Sequence, residues 1–390
     1  MSDSCTLCGS AALPAVYTPR GTARGLGVHV CAGCGLVQSL PRRATAPRRP
    51  ASVSGGADWG NVRYGKAFRV ADTMAALRAT LDGRAPRRIL DVGSNRGAFL
   101  AAARDAWPQA GLTAVEPDER VVADYAGMDG LTLHQRPVEE VPLPAAGFDL
   151  IHCSHTLEHL ADPFAVLAAL ARALAPGGVA YLEVPNLDTI DRADLVEEWF
   201  IDKHLYHFSP ATFAAGIARA GLAAPAGIAA GLHLAAVARP GPAAVAPSGD
   251  DPARTTARIA AYAARLTAAQ TTLVRAAERI VGLAEGGRVA IWGAGRILDS
   301  LVRIGGLDPA RLALVVDRHL VAHAESLHGV PLHAPAALAD AAVDVVVIAS
   351  REFAGEIAGE ASAIVPHAQL IAFADLLEAP QKQRAGATMR

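Results

Sequence analysis

The chain has little of what would direct it to a membrane, to nucleic acid or into disorder. No run of roughly eighteen apolar residues is free of charge, which excludes a transmembrane helix. The N-terminus has no basic segment followed by an apolar one, so we expect no secretory signal and a cytoplasmic location. With 36 basic and 38 acidic residues, the formal net charge of -2 gives no general attraction to nucleic acid. Hydrophobic residues make up 52% of the chain and aromatic residues only 5%, which indicates a globular protein.

Cysteine is scarce, and four of the five cysteines form two close pairs. Cys5 and Cys8 make the first pair, and Cys31 and Cys34 make the second. Two such pairs in a reducing compartment are typical of a tetrahedral Zn²⁺ site, although four unligated thiols remain the alternative. Since the protein would supply all four ligands, we expect the zinc to be structural. Cys153 stands alone and is expected to be a buried strand residue.

The 390 residues predict two or three domains at roughly 150 residues each. Strand and helix patterns alternate twice along the chain, which predicts α/β architecture with parallel, doubly wound sheets. The predicted strands include 112–115, 148–153, 179–184, 288–292, 312–316 and 343–349, and the helices include 98–107, 163–174 and 253–284. The expected segments are a zinc module at 1–45, a linker and helix at 46–85, an α/β domain at 86–240, a linker and long helix at 241–285, and a C-terminal Rossmann-like domain at 286–390.

A glycine-containing turn follows the first strand of the 86–240 domain. Glycine permits the sharp turn there, and the following helix supplies unpaired N–H groups. Glu116 ends the next strand, where a carboxylate can accept both hydroxyls of a ribose. The pattern therefore predicts a nucleoside-containing cofactor, bound by the residues of this turn: Asp91, Gly93, Ser94, Asn95 and Gly97.

The turn resembles motif I of class I S-adenosylmethionine-dependent methyltransferases, and the segments 148–150 and 174–178 are similar to two further motifs of that superfamily. The resemblance covers residues 88–185 and implies a class I methyltransferase sheet. It implies that Asp91 lies near the amino acid end of S-adenosylmethionine, that Gly93 lies alongside it, and that Glu116 holds the ribose. Pro137 stands where many relatives have an Asp for adenine, so adenine recognition would rest on backbone groups and apolar contacts.

Two other motifs compete with this interpretation. His155, Glu158 and His159 have the spacing H-x-x-E-H of some zinc hydrolases, but the sequence identifies no further ligand. We therefore expect His155 to line the cofactor or acceptor pocket without a metal.

The second motif contains Gly293 and Gly295, with Asp317 about twenty residues further on, as in nicotinamide-binding folds. The third glycine is missing because Leu298 occupies its position. We expect a nucleotide-shaped pocket without redox chemistry, which would take part in acceptor binding.

The segment 199–209 combines aromatic and titratable residues after the strand at 179–184. A neutral imidazole at His204 can remove a proton from the acceptor during methyl transfer, which predicts a general base. Packing alone is an equally good interpretation of His207. The other candidate acceptor residues of this segment are Asp202, Lys203 and Tyr206.

The order of segments resembles the family of zinc-containing sugar C-methyltransferases that act on nucleotide-linked deoxysugars. That resemblance implies a nucleotide sugar held by the two large domains and a histidine base. Ile201, Asp202 and Lys203 replace a Tyr, a His and a Glu of the family's catalytic loop, and Tyr64 corresponds loosely to another family tyrosine. Methyl transfer is therefore better supported than C-methylation of a 4-keto sugar, and we expect a small polar acceptor, in particular a nucleotide-linked sugar.

Three alternatives stay open at this level. The first is an O-methyltransferase of a saccharide or natural product. The second is a ribosomal-RNA methyltransferase. The near-neutral charge opposes this alternative because it gives no general attraction to RNA, so we expect no nucleic-acid partner. The third is a non-catalytic scaffold that binds nucleotides. The sequence predicts no oligomeric state.

Overall fold

The computed structural model describes residues 4–19, 22, 25–42, 69–192, 198–242, 249–322, 324–351 and 353–377. These residues form two compact units, an N-terminal unit that ends at Ala264 and a C-terminal unit that begins at Arg265. The candidate residue Tyr64 lies outside the described residues. Within the described part of the chain, no helix is long and apolar enough to cross a membrane.

The N-terminal unit contains two sheets and the helices that cover the larger one. Its strands are β1 (Ala15–Tyr17), β2 (Gly27–Val30), β3 (Val37–Leu40), β4 (Arg88–Val92), β5 (Gly111–Val115), β6 (Thr132–His134), β7 (Phe148–Ser154), β8 (Leu174–Pro185), β9 (Tyr206–His207), β10 (Leu222–Ala223), β11 (Ala229–Ala230) and β12 (His233–Pro240). Its helices are α1 (Val70–Leu81), α2 (Ala98–Ala106), α3 (Pro163–Ala173) and α4 (Pro210–Arg219), and α5 (Pro252–Gly286) begins here and continues into the C-terminal unit.

The larger sheet has the order β10-β12-β8-β7-β4-β5-β6, with β11 paired to β12. The strands β8, β7, β4, β5 and β6 are parallel, whereas β12 is antiparallel to β8. The central strands are apolar on both faces because helices cover both, as the sequence pattern predicted. The parallel strands bring their carboxyl ends to one edge of the sheet, where the predicted cofactor residues lie.

Helix starts in this unit follow from local sequence. Asp162 accepts the backbone N–H groups of Phe164 and Ala165 at the start of α3, and Pro163 occupies the first turn. Ser209 and Thr212 form a capping box at the start of α4. This cap fixes the chain direction directly after β9.

The smaller sheet has the order β1-β2-β3-β9. Its first three strands belong to the four-cysteine segment, and its fourth strand comes from the segment predicted to hold the acceptor. Val37 pairs with His207 and Gln38 pairs with Tyr206. The cysteine segment, expected as a zinc module at 1–45, shares this sheet with a strand of the 86–240 domain.

The C-terminal unit is a second α/β unit built on a six-stranded sheet of order β15-β16-β14-β13-β17-β18. All neighbouring strands are parallel except β15 and β16. The strands are β13 (Val289–Trp292), β14 (Leu314–Val316), β15 (Ser326–Leu327), β16 (Val330–His333), β17 (Val345–Ile348) and β18 (Gln369–Ala372), and the helices that lie wholly in this unit are α6 (Arg296–Arg303), α7 (Ala354–Ile364) and α8 (Phe373–Leu377). The Rossmann-like pattern predicted for this region is thus present.

Candidate functional site

The turn between β4 and α2 has the backbone geometry that its glycines predicted. Gly93 and Gly97 have φ angles of +67° and +73°. A Cβ atom on Gly93 would lie 2.2 Å from Oγ1 of Thr156, so the turn tolerates no side chain there. A Cβ on Gly97 would instead approach Met128 and Tyr125. At Gly97, therefore, the missing side chain leaves room for neighbouring protein side chains.

Glu116 is connected directly to this turn. Its carboxylate is buried and accepts the backbone N–H of Asn95 at 2.7 Å and that of Asp118 at 2.9 Å. Asn95 has a φ of +50°, a strained value for a side-chain-bearing residue. Ser94 hydrogen-bonds through Oγ to the Tyr125 hydroxyl at 2.7 Å, and that hydroxyl also donates to the carbonyl of Asn95. These bonds hold the residues predicted to bind cofactor in one arrangement.

Asp91 is fully buried at the end of β4, and its Oδ1 lies 2.6 Å from Nδ1 of His152 on the neighbouring strand β7. The His152 ring stacks on Phe99 with ring centroids 3.9 Å apart. The other carboxylate oxygen, Oδ2, accepts no hydrogen bond from the described residues. Sequence reasoning missed His152, although a histidine inside an otherwise apolar strand was a signal of a buried polar pair.

His155 lies at the carboxyl edge of the sheet beside two buried carboxylates. Its Nδ1 is 3.3 Å from Oε1 of Glu158, and its Nε2 is 3.3 Å from Oε1 of Glu183. Burial alone would raise the pKa of Glu183, but the close imidazole of His155, the hydrogen bond from Tyr181 and the charge of Arg69 lower it to about 2. Glu183 was missed from the sequence because a lone acid in an apolar strand carries no motif.

The H-x-x-E-H segment does not form one helical face. His155 has a φ of +47°, and only Leu157–His159 form a single 3-10 turn after it. Glu158 is fully buried, and its pKa lies well below the ordinary value because nearby histidines outweigh the effect of burial. His204, which the sequence could not connect to this segment, lies beside His159 with ring centroids 4.9 Å apart.

The predicted acceptor residues fall into two groups. Burial and the neighbouring charge of His159 hold the pKa of His204 well below its ordinary value, so its imidazole is neutral near pH 7. Asp202 accepts a hydrogen bond from Thr22, and the backbone carbonyl of Lys203 bonds Nδ1 of His159 at 2.8 Å. Asp202, Lys203 and His204 lie in one loop, and each side chain is partly exposed.

Tyr206 and His207 are in the interior instead. The Tyr206 hydroxyl donates to the carbonyl of Ala161 at 3.0 Å and accepts from Thr6. Nε2 of His207 lies 2.9 Å from Oγ of Ser39, and the ring is 4% exposed. Their burial favours packing in the smaller sheet, the interpretation that the sequence left open for His207.

The four cysteines of the N-terminal segment come together. Their Sγ atoms all lie within 4.8 Å of one another, and the pairs Cys5–Cys34 and Cys8–Cys31 are 3.6 and 3.4 Å apart. These separations are far longer than a disulfide bond and are close to the ~3.8 Å expected between sulfurs that share a tetrahedral Zn²⁺. The residues present fit a closed zinc site.

In the C-terminal unit, Gly293 and Gly295 lie in the turn between β13 and α6, and Asp317 directly follows β14. Gly293 has a φ of +115°, and a Cβ there would lie 2.7 Å from the carbonyl oxygen of Ala349. Asp317 accepts three backbone N–H groups, those of Ala294, His319 and Leu320. This carboxylate stabilises its own turn, and its predicted contact with a nucleotide stays a prediction.

Comparisons with known proteins agree with the geometry of the larger sheet. Residues 66–224 match the family model described as a methyltransferase domain. A curated relative named "Methyltransferase str3", from Strobilurus tenacellus, is 32% identical over 111 residues, which are 28% of this chain and 39% of the relative. The ubiquinone biosynthesis O-methyltransferase of Bordetella avium is 32% identical over 114 residues, which are 28% of this chain and 46% of the relative. The chain thus spans less than half the length of these two relatives.

Among solved structures, an S-adenosylmethionine-dependent methyltransferase from Mesorhizobium loti matches with a TM-score of 0.35 and 21% identity, over 42% of this chain and 96% of that chain. The PH0226 protein from Pyrococcus horikoshii matches with a TM-score of 0.39 and 14% identity, over 45% of this chain and 91% of that chain. The part of this chain that matches the methyltransferase-domain model is residues 66–224.

Proposed function

We propose that this chain, whose residues 66–224 carry a methyltransferase domain, transfers a methyl group from S-adenosylmethionine to a small polar acceptor. One observation carries the proposal. The strained turn after β4 is joined, through the backbone N–H of Asn95, to a buried carboxylate at the end of the next parallel strand, Glu116. A turn of N–H groups beside such a carboxylate suits a nucleoside ligand.

The residues present fit this cofactor. The carboxylate oxygens of Glu116 accept the backbone N–H groups of Asn95 and Asp118, and a carboxylate has lone pairs for further donors such as a ribose hydroxyl. Oδ2 of Asp91 is buried without a hydrogen bond to the described residues, and an ammonium donor would satisfy it. When bound, S-adenosylmethionine supplies an electrophilic methyl group on a sulfonium, so the protein has to position the acceptor and remove its proton.

We propose His204 as the general base of the reaction. Its imidazole is neutral because burial and neighbouring cationic groups lower its pKa, so its free nitrogen is available to a proton. Asp202 and Lys203 flank it in the same loop and would contact the acceptor. His155, at the edge of the sheet beside Glu183, would line the cofactor side of the pocket.

The proposed acceptor class is a nucleotide-linked sugar. It is supported by the resemblance of the segment order to sugar methyltransferases, with Gly293, Gly295 and Asp317 proposed to contact the nucleotide. O-methylation is a second candidate, favoured by the matched relative named as a ubiquinone biosynthesis O-methyltransferase. In either case Zn²⁺ on the four cysteines is proposed to be structural, because no ligand position would remain for a substrate.

Calorimetry with S-adenosylhomocysteine tests the cofactor assignment, and a panel of nucleotide sugars with S-adenosylmethionine tests the acceptor. We expect His204→Asn to bind the cofactor product with unchanged affinity and to lose turnover. Carbon NMR of the product separates C-methyl from O-methyl groups. Absence of binding would overturn the methyltransferase proposal, and binding without any methylated product would support a nucleotide-binding scaffold.

A further inference from the structure

We propose that Glu158, His159 and His204 form a second metal site, for a divalent transition-metal ion of the zinc class. One ligand atom from each residue lies within 4.8 Å of the other two. Glu158 and His159 are in the 3-10 turn after β7, and His204 comes from the loop before β9. The site is distinct from the four-cysteine site.

The first argument is the state of Glu158. Its side chain is fully buried, and neither carboxylate oxygen accepts a hydrogen bond from the described residues. The nearest basic nitrogens are Nδ1 of His155 at 3.3 Å and Nε2 of His159 at 3.8 Å, in contacts without hydrogen-bond geometry. A buried carboxylate is costly unless it is paired or coordinates a metal. The neighbouring histidines favour the charged carboxylate, but neither oxygen has a direct hydrogen-bond donor among the described residues, and a bound cation would supply that direct contact.

The second argument is the orientation of His159. Its Nδ1 lies 2.8 Å from the backbone carbonyl of Lys203, and a carbonyl oxygen can only accept, so Nδ1 carries the proton. In the neutral ring, Nε2 is then an acceptor, and it lies 3.8 Å from Oε1 of Glu158. A cation that both atoms contact would stabilise this pair of acceptors. A carbonyl partner on the remote nitrogen is also the usual way in which a protein orients a metal-binding histidine.

His204 completes the set. Its ring lies 4.9 Å from that of His159 between centroids. Two imidazoles and one carboxylate form a ligand set that zinc uses in open sites, where a fourth position is left for water or a substrate oxygen. The His159 side chain is 32% exposed, which gives an ion a route to the site from solvent.

A bound ion would use the lone pair of His204 that the proposed base also needs. Ion binding and direct proton removal by His204 are therefore alternative states of this residue. The metal site does not depend on methyl transfer, because it can be measured by binding alone.

The test is a Co²⁺ titration of the full chain, purified with its zinc, followed by visible absorption and by metal analysis. We expect one Co²⁺ per chain with the d–d absorption of nitrogen and oxygen ligands, and without the thiolate charge-transfer band that Co²⁺ exchange into the four-cysteine site would produce. His159→Asn should weaken this binding by at least about tenfold, because a ligand is lost while the partly exposed position tolerates the change. His367→Asn, which changes an exposed histidine of the C-terminal unit, should bind as the wild type does.

Glu158→Gln is the second variant, and circular dichroism should verify its fold because the position is buried. Equal Co²⁺ affinity in the wild type and His159→Asn would overturn the proposal. The proposal would also be overturned if the wild type bound no Co²⁺ outside the four-cysteine site. That result would mean that a proton on His159 supplies the positive charge beside Glu158. Neither result would affect the cofactor-binding test of the proposed methyltransferase.

Discussion

His207 should make the stability of the N-terminal unit sensitive to acid. The ring is 4% exposed, bonds Oγ of Ser39 through Nε2 and packs on Phe200 with ring centroids 4.8 Å apart. Burial removes the hydration of the imidazolium and lowers the pKa of His207 to about 3, and the charge of Glu158 offsets only part of this effect. The folded protein therefore holds this histidine neutral, whereas the unfolded chain protonates it below its ordinary pKa of 6.5.

The sign and size of the effect follow from linkage. Because the folded pKa is depressed, the unfolded state binds the extra proton first, and stability is lost as the pH falls from 6.5 toward 3. Between about pH 8 and about pH 5 the expected loss from this one group is about 2 kcal/mol. His207→Gln removes the titration and keeps a hydrogen-bonding group near Ser39, so it should lose less stability over the same range.

Urea unfolding of both proteins at the two pH values measures how much the free energy of unfolding changes with pH. Pulsed hydrogen exchange of the peptide covering residues 204–219 reports the unfolding of the N-terminal unit in particular. The quantity of interest is the wild-type loss minus the variant loss, because the other titrating groups contribute equally to both. An equal loss in the two proteins would refute a buried neutral imidazole at His207.

Three further predictions concern the candidate site. Gly93→Ala should weaken S-adenosylhomocysteine binding by at least about tenfold, because its Cβ would lie 2.2 Å from Oγ1 of Thr156. The control is Gly227→Ala, at a φ of +78° with no atom within 4 Å of the added Cβ. It should cost only about 1–2 kcal/mol of stability and leave the affinity measured by calorimetry unchanged. Glu116→Gln should weaken the same binding by about tenfold, because an amide cannot accept both backbone N–H groups and the ribose hydroxyls; unchanged heats of binding would contradict this role. Cys8→Ser should lower the zinc content and raise the KM for the acceptor, with cofactor affinity within about twofold of wild type. Metal analysis and steady-state kinetics measure both changes. A constant KM despite loss of zinc would contradict this prediction.

Several strands of the larger N-terminal sheet and of the C-terminal sheet were predictable because their signals are local. An apolar run such as 148–153 is buried on both faces, and Pro163 after Asp162 starts a helix by its own chemistry. The bounds differed by a few residues, most at β8, which starts at Leu174 rather than at residue 179. A shift in its register with β7 accounts for the additional length, and no sequence period indicates such a shift.

The polar network of the site was only partly predictable. The turn residues and Glu116 carry a spacing that chemistry requires, so the sequence locates them. His152 and Glu183 lie alone in apolar strands, and their partners come from neighbouring strands of the sheet. The approach of His204 to Glu158 joins segments 46 positions apart through a fold that no motif encodes.

The pairing of β3 with β9 connects the four-cysteine segment to the loop that carries His204. β9 begins two residues after His204 and pairs with β3, which begins three residues after Cys34. A metal that fixes the four thiolates would fix β3, and β3 would then restrain the loop that carries the proposed base. Removing zinc should therefore loosen the acceptor side of the site more than the turn at Gly93, which rests on β4 and β5 of the larger sheet. On this reasoning we expect the cysteine site to position the loop proposed to bind the acceptor, although it lies in a different part of the sequence.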